Sequence, residues 1–342
     1  MDLIGYEDKN FEKYWKRLWI SSEIMHSLHS SSMFQFYKNI DKTFYEERSI
    51  ILKEKEDIVL GIRISKNINQ DNKSIFSYYQ LPIIFLENKS LEIKIRKKAF
   101  SILGKYIENI LNCEQSWEWT HVDYLNETEL SPLSHYFLTE WDAQPLVNTT
   151  RILNLDIKEE KIFKDYSKGF KYNINWGMRN LETQIISGDN FNNKLLKEFK
   201  DLHFKASGRK TRSDLSWQIL KDVVNRNEGF VSIASNNDSL VSASFFSQSK
   251  KHCFYGVSAS NRDLFKNPIS HIVLWNAIKY AKKIGCKVFE LGDIYYHFTI
   301  PKASEKEMNI GFFKKSFGNK TNVYLKLKAL SNDKKSTNSF VD

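Results

Sequence analysis

One lysine set among phenylalanines, in Gly311-Phe312-Phe313-Lys314-Lys315-Ser316-Phe317-Gly318, is the residue of this chain best suited to chemistry on a carbonyl. Acyl transfer passes through a tetrahedral oxyanion, and an ammonium fixed in a water-poor cleft stabilises that charge. The plain alternative is a basic loop residue, with Phe312, Phe313 and Phe317 as core anchors. Tyr255 can bond an acyl carbonyl or protonate a leaving group through its hydroxyl, or can be a core tyrosine with a satisfied hydroxyl. Asp293, closing Glu290-Leu291-Gly292-Asp293, can accept a proton from an acceptor ammonium, since the attacking amine must be neutral; otherwise it is a turn carboxylate.

A second set of residues suits an anionic ligand. Arg209, Lys210 and Arg212 follow a helical pattern containing His203, and paired guanidinium groups clamp a diphosphate bidentately unless they lie on an exposed linker. Lys171 and Arg179 are further phosphate candidates on a helix whose basic face can equally be solvated. Pro268-Ile269-Ser270-His271 opens another helix, where free backbone amides can take a pyrophosphate, with Ser270 and His271 beside it. His271 also reads as a capping or packed residue. Trp176 and Trp275 can stack on a sugar or base, or pack in a core.

These residues need strands and helices to converge. Apolar residues at Ile269, Val273, Leu274, Ala277, Ile278, Ala281 and Ile284 make one stripe of an amphipathic helix, ended by Gly285. It connects a strand at Cys253 to Ser258 with a parallel strand at Lys287 to Leu291, and such a crossover brings both strand ends beside the helix N-terminus. Upstream, helical spacing runs through Ile162 to Met178, Leu195 to Ala206 and Leu215 to Val224. Strands at Phe230 to Ala234 and Leu240 to Phe246 flank the turn Asn236-Asn237-Asp238. The first half has a similar order: helices at Phe11 to Trp19 and Ser31 to Phe44, then a hairpin of Ser49 to Leu52 and Ile58 to Ile64. A strand near Ile75 to Phe85, a helix from Leu91 to Leu111 and a strand at Trp117 to Val122 complete it.

The chain has 342 residues, 41% of them hydrophobic, enough for two cores. Its 51 Lys and Arg against 41 Asp and Glu leave a formal charge of +10, which attracts phosphates in a nucleotide sugar, coenzyme A or RNA. Cys113, Cys253 and Cys286 are widely spaced and odd in number, which speaks against a disulfide framework or a zinc site. The apolar run at Leu81 to Leu86 is too short to span a bilayer, and the expectation is a soluble cytoplasmic protein with no transmembrane segment. No GxxxxGK[ST], GxGxxG after a strand, HExxH or GxSxG motif supports an ATPase, dinucleotide enzyme, zinc protease or hydrolase, and no metal is expected.

The segments Thr150 to Leu155, Ser167 to Ile174, Tyr255 to Ser260, Leu274-Trp275-Asn276-Ala277-Ile278, Phe289-Glu290-Leu291-Gly292 and Phe313 to Gly318 occur in an order that resembles the Fem family of peptidoglycan bridge-forming aminoacyltransferases. They also resemble the wider GNAT acyltransferases. The likeness covers residues 150 to 328 and is architectural before them. It implies an α/β chain of two tandem GNAT-like domains, each a mixed twisted sheet flanked by helices, at 1–149 and 150–330, ahead of a polar tail at 331–342 expected to be disordered. It further implies acyl transfer from a thioester or aminoacyl ester to an amine on a nucleotide-linked sugar or cell-envelope glycan precursor, with Lys314 at the transfer site. The co-substrate would be acyl-CoA or aminoacyl-tRNA, with no tightly bound cofactor, with tRNA but not DNA among the expected partners. One departure bears on the donor: where a coenzyme-A-binding GNAT has a glycine-rich turn, this chain has Asn267-Pro268, and Pro268 has no amide hydrogen to offer. A different class of function also fits the basic, aromatic composition, a catalytically silent module that binds RNA or an anionic glycan.

Overall fold

A computed structural model describes residues 1–23, 25–40, 46–79, 81–124, 129–297, 299 and 301–331. The tail expected to be disordered lies, from 332 on, outside the described residues. In the first half the elements are β1 (Asp2–Gly5), α1 (Phe11–Ser21), α2 (Ser31–Lys38), β2 (Glu46–Glu47), β3 (Ile50–Glu54), β4 (Asp57–Arg63), β5 (Ser65–Ile68), β6 (Ser74–Ser77), β7 (Ile84–Glu87), α3 (Ile93–Asn112), β8 (Trp117–Asp123) and α4 (Pro132–Glu140). The second half adds β9 (Gln144–Asn154), α5 (Glu159–Asp165), α6 (Lys168–Asn180), β10 (Glu182–Ile186), α7 (Asn193–Ser207), α8 (Asp214–Asn225), β11 (Gly229–Asn236), β12 (Ser239–Gln248), β13 (His252–Ser260), α9 (Ile269–Lys283), β14 (Val288–Asp293), α10 (Glu305–Phe317) and β15 (Lys320–Leu330).

Contacts divide the chain into two compact units, Met1–Glu23 with Thr43–Asn148 and Val323–Asp342, and Ile24–Lys42 with Thr149–Asn322. The expected boundaries at 149/150 and 330 therefore shift in two places. The segment carrying α2 joins the second unit because Met33 and Phe36 pack with Trp217, Leu220 and Phe245. Most of β15 joins the first because Leu325 to Leu330 pair with β8.

In the first unit β1, β3, β4 and β7 form one antiparallel sheet, and β2, β5, β6, β8 and β15 pair in that order. The stretch read as one strand from Ile75 to Phe85 is two, β6 and β7, in different sheets. Tyr79 has φ 52°, which turns the chain between them. Leu103, Ile107 and Leu111 of α3 pack with Leu52, Leu60, Trp119 and Phe137 in the core.

The second unit holds the sheet β10-β11-β12-β13-β14-β9, antiparallel except where β14 runs parallel to β13 through the α9 crossover. The β11–β12 hairpin turns at Asn237 and Asp238, both with positive φ as this tight turn requires. One face is covered by α5, α6 and α9, with Ile162, Ile174, Val273 and Ala277 against Phe246 and Phe289. The other is covered by α2, α7 and α8. The helical spacing from Ile162 to Met178 is broken into α5 and α6 at Ser167, whose side chain caps the Phe170 amide.

Candidate functional site

Strands β13 and β14 are in register only over His252–Phe254 and Val288–Glu290. Beyond these residues the pair separates while both strands continue, to Ser260 and Asp293. A bulge widens the divergence on each outer side. On β13 one residue of β12 faces two between the Ser244–Ser258 and Phe246–Tyr255 pairs, and the β14–β9 register slips between Glu290 and Gly292. Gly292 has φ +80°, a conformation that side-chain-bearing residues rarely adopt.

Helix α10 brings Lys314 to this opening. The lysine lies on a helix, not in the loop of the plain alternative: Ser304 and Glu307 form a capping box, and acidic Glu305 and Glu307 at one end complement Lys314 and Lys315 at the other. Gly311 lets the helix approach the backbone of Ile294 and Tyr295. One turn later the Lys314 ammonium donates to the Asp293 carbonyl at 3.1 Å. A Cβ on Gly292 would lie 3.2 Å from that nitrogen and 3.6 Å from the Phe254 ring, so the missing side chain is what admits the ammonium. Phe313 and Phe317 pack on His271, and Phe317 on Phe170, fixing the helix from the α6–α9 side. Burial pushes the Lys314 pKa down, and the Asp293 and Glu290 carboxylates pull it back.

The other expected residues fall in different places. Tyr255 points to the opposite face of β13 from Phe254, stacked on Phe246, and burial raises its pKa against hydrogen bonds with Ser258 and Ser244. Ser258 shares a hydrogen bond with Ser244 across the strands. The Asp293 group that meets Lys314 is its backbone carbonyl. Trp275 is corrected outright: it is 2% exposed and packs on Phe163 and Tyr166 in the core, so no sugar can reach it. Lys171 donates its ammonium to the Lys164 carbonyl, which ties α6 to the end of α5 and commits one of its three donors.

The start of α9 also departs from an anion cradle. Its N-cap is Pro268, with no side-chain cap. The Ile269 amide is bound to Asn267 and the His271 amide to Pro268, so two of the first-turn amides are already used. Ser270 is half-buried there. The His271 ring bonds Asn173, and burial holds its pKa down at about 4.

Arg209 and Arg212 line a separate cavity of about 270 Å³ between α7 and α8, with Lys200, His203, Phe204, Lys210 and Trp217. Arg212 donates to His203 at 3.0 Å and to Thr211, and its buried Nε has no hydrogen-bond partner among the described residues. His203 is held neutral, its pKa lowered to about 4 by burial and by the Arg212 charge. Phe204 is 56% exposed at the rim. A cationic pocket with an aromatic edge suits a phosphate attached to a flat or apolar group.

Sequence reasoning missed one cluster. His26 and His252 each bring Nε2 to 2.9 Å from Glu290 Oε2, and Thr150 donates to Oε1 at 2.7 Å. No local spacing could have revealed it, because His26 reaches β14 across 264 residues of chain.

No protein-family model matches the sequence, and no curated protein does. Solved structures do. A structure titled FemX aligns over 95% of this chain and 97% of its own, with TM-score 0.65 at 10% identity. The C-terminal domain of a putative lysylphosphatidylglycerol synthetase from Agrobacterium fabrum aligns over 94% and 91%, with TM-score 0.62 at 10% identity. A tandem GNAT protein from the clavulanic acid biosynthesis pathway aligns over 96% and 98%, with TM-score 0.52 at 10% identity. The chain has the α/β tandem GNAT-like fold of these proteins. Among the described residues, no helix is long and apolar enough to cross a membrane.

Proposed function

We propose that the second unit is an N-acyltransferase whose reacting carbonyl lies where β13 and β14 separate. The amine nitrogen of the acceptor attacks the acyl carbon, the carbonyl electrons move to oxygen, and the oxyanion then collapses, expelling the thiolate or ribose alkoxide of the donor. The amine proton passes to a base and the leaving group is protonated, with no covalent enzyme intermediate. In this reading Lys314 stabilises the oxyanion, and Tyr255 and Asp293 are the candidates for orienting the carbonyl and accepting the proton.

The observation that carries this reading is the Lys314 ammonium, partly buried and hydrogen-bonded at the end of a parallel strand pair that stops pairing. The donor is an acyl-CoA or an aminoacyl-tRNA, and the acceptor an amine on a nucleotide-linked sugar or envelope glycan precursor. The sequence resemblance to Fem-like enzymes supports that class. A neighbour whose title names a putative lysylphosphatidylglycerol synthetase supports an aminoacyl donor only, since the product it names is a lipid ester. In this reading, Arg209 and Arg212 hold acceptor phosphates in the α7–α8 pocket. The test is mass spectrometry of products from the full-length protein with a panel of acyl-CoAs and charged tRNAs and amino-sugar nucleotides. An acylated amine that disappears in Lys314→Ala supports the assignment. Binding of RNA or glycan with no product from any pair overturns it in favour of a silent binding module.

A further inference from the structure

Helix α10 carries Lys314 but has little apolar surface to hold it in place, since of its residues only Gly311 and Phe317 are fully buried. Apolar burial is also non-directional. The packing of Phe313 and Phe317 on His271 therefore holds the helix close without fixing how far it slides or turns. A slip of one residue moves the side chains about 1.5 Å along the axis, enough to take the Lys314 ammonium off the Asp293 carbonyl. Directional contacts at the end of the helix have to set its register.

Such contacts converge on the C-terminal end, where the last carbonyls lack partners within the helix. The Tyr166 hydroxyl donates to the Phe317 carbonyl at 3.3 Å. From β9, Arg151 donates through Nη2 to the Gly318 carbonyl and through Nη1 to Thr321 Oγ1 at 2.9 Å. The Asn319 amide returns a bond to the Ile152 carbonyl at 3.0 Å. A guanidinium presents its donors in a rigid planar fork, so the two Arg151 contacts fix direction as well as distance, and the positive charge suits the negative end of the helix. The approach is close: a Cβ on Gly318 would lie 2.6 Å from Arg151 Cγ and 2.7 Å from the Ile152 carbonyl oxygen.

Arg151 is at the same time the cross-strand partner of Gly292, the first pair after the slip in the β14–β9 register. One residue of β9 is thus joined to both parts of the opening, the strand position whose missing side chain admits the ammonium and the helix that delivers it. We propose that Arg151 is a positioning residue, which sets the register of α10 against β14 and so holds the Lys314 ammonium at the strand opening without meeting the reacting atoms. This rests on the reading of Lys314 as the oxyanion-stabilising group.

Arg151→Met keeps an unbranched stem and removes both donors. On the full-length protein, an amine-reactive ester applied across a pH series, with peptide mass spectrometry, follows Lys314 without turnover, and exposed Lys315 corrects for reagent loss. Burial lowers the Lys314 pKa in the parent protein, so release of the helix end is expected to raise its labelling midpoint. In turnover, kcat is expected to fall by up to about a hundred-fold, the scale of a ~1 Å misplacement, with KM little changed. Arg151→Lys, which can serve one partner but not both, is expected to recover part of the loss. If Arg151 only supports the fold, the urea midpoint drops while the Lys314 midpoint and kcat of the folded variant stay at the parent values, and that result overturns the proposal. A raised Lys314 midpoint with unchanged kcat supports the role of Arg151 and removes Lys314 from the chemistry, so the two readings fail separately. Where Arg151→Met does not fold, Gly318→Ala keeps the guanidinium and crowds the same contact, and an unmoved Lys314 midpoint there overturns the proposal.

Discussion

The Lys314 ammonium meets the Asp293 carbonyl oxygen at 3.1 Å, beyond the last paired residues of β13 and β14. This hydrogen bond leaves an ammonium with three donors only partly committed. If it completes the oxyanion site, Lys314→Ala should lower kcat by about a hundred-fold or more, the usual cost of losing one such donor. Substrate KM should change little, because the oxyanion forms only in the transition state. Steady-state kinetics on a variant with unaltered circular dichroism decides the point; equal turnover removes Lys314 from the mechanism.

A side chain at Gly292 should strain the backbone and displace the Lys314 ammonium. The Gly292 φ of +80° costs an L-residue about 1–2 kcal/mol, and the added methyl would lie 3.2 Å from the Lys314 nitrogen. Gly292→Ala is expected to lower the urea midpoint modestly and to depress activity by much more than that loss of stability explains. A variant with lowered stability and full activity would show that the ammonium can sit elsewhere.

The crossover helix and its two strands were legible because Ile269 to Ile284 repeat at helical spacing between short apolar runs. Lys314 stood out because a lysine among phenylalanines is chemically unusual. Its helix was not legible: among the residues of α10 only Gly311 and Phe317 are fully buried, so no apolar stripe marks it. Trp275 and Lys171 each carry two readings in the sequence for a common reason. Residue type alone does not say whether an indole faces a core or a ligand, or whether an ammonium meets a carbonyl of its own chain. The exchange of α2 into the second unit depends on contacts between distant segments, which periodicity does not encode.

Stability should fall as pH drops from 6.5 toward 4. Burial lowers the pKa of His252 to about 4 and of His121 to about 3, so in that window the unfolded chain binds protons that the folded chain does not. Each such histidine contributes a slope of about 1.4 kcal/mol per pH unit, with stability higher at the higher pH. Urea denaturation at pH 5 and pH 7.5 measures it. His121→Asn should remove about one histidine's share of the slope, and a slope unchanged by that substitution would mean His121 is charged inside the first unit.

Arg212 should govern affinity for a phosphate-bearing ligand. It lines the same cavity as Arg209. Hydrogen bonds to a charged group contribute about 1.5–3 kcal/mol, so Arg212→Ala should weaken binding of a nucleotide sugar ten-fold or more by calorimetry, with a reduced dependence on salt. Arg212→Lys should recover only part of the loss, because a point charge cannot reproduce the planar fork. Equal affinity in all three proteins would place the phosphate elsewhere.

The start of α9 separates the two donors. A pyrophosphate held at a helix N-terminus needs free amides, yet Pro268 has no N–H, and the Ile269 and His271 amides are bound to Asn267 and Pro268. Freeing them would break local hydrogen bonds, each of which contributes about 1 kcal/mol net. Acetyl-CoA is therefore expected to show no saturable binding at micromolar concentration, whereas charged tRNA, whose contacts are spread over many phosphates, should bind with a steep decline as salt rises. Calorimetry with both, in the presence of the same acceptor, makes the comparison. Micromolar acetyl-CoA binding accompanied by acetylated product would reverse the choice of donor and would require the α9 turn to open on binding.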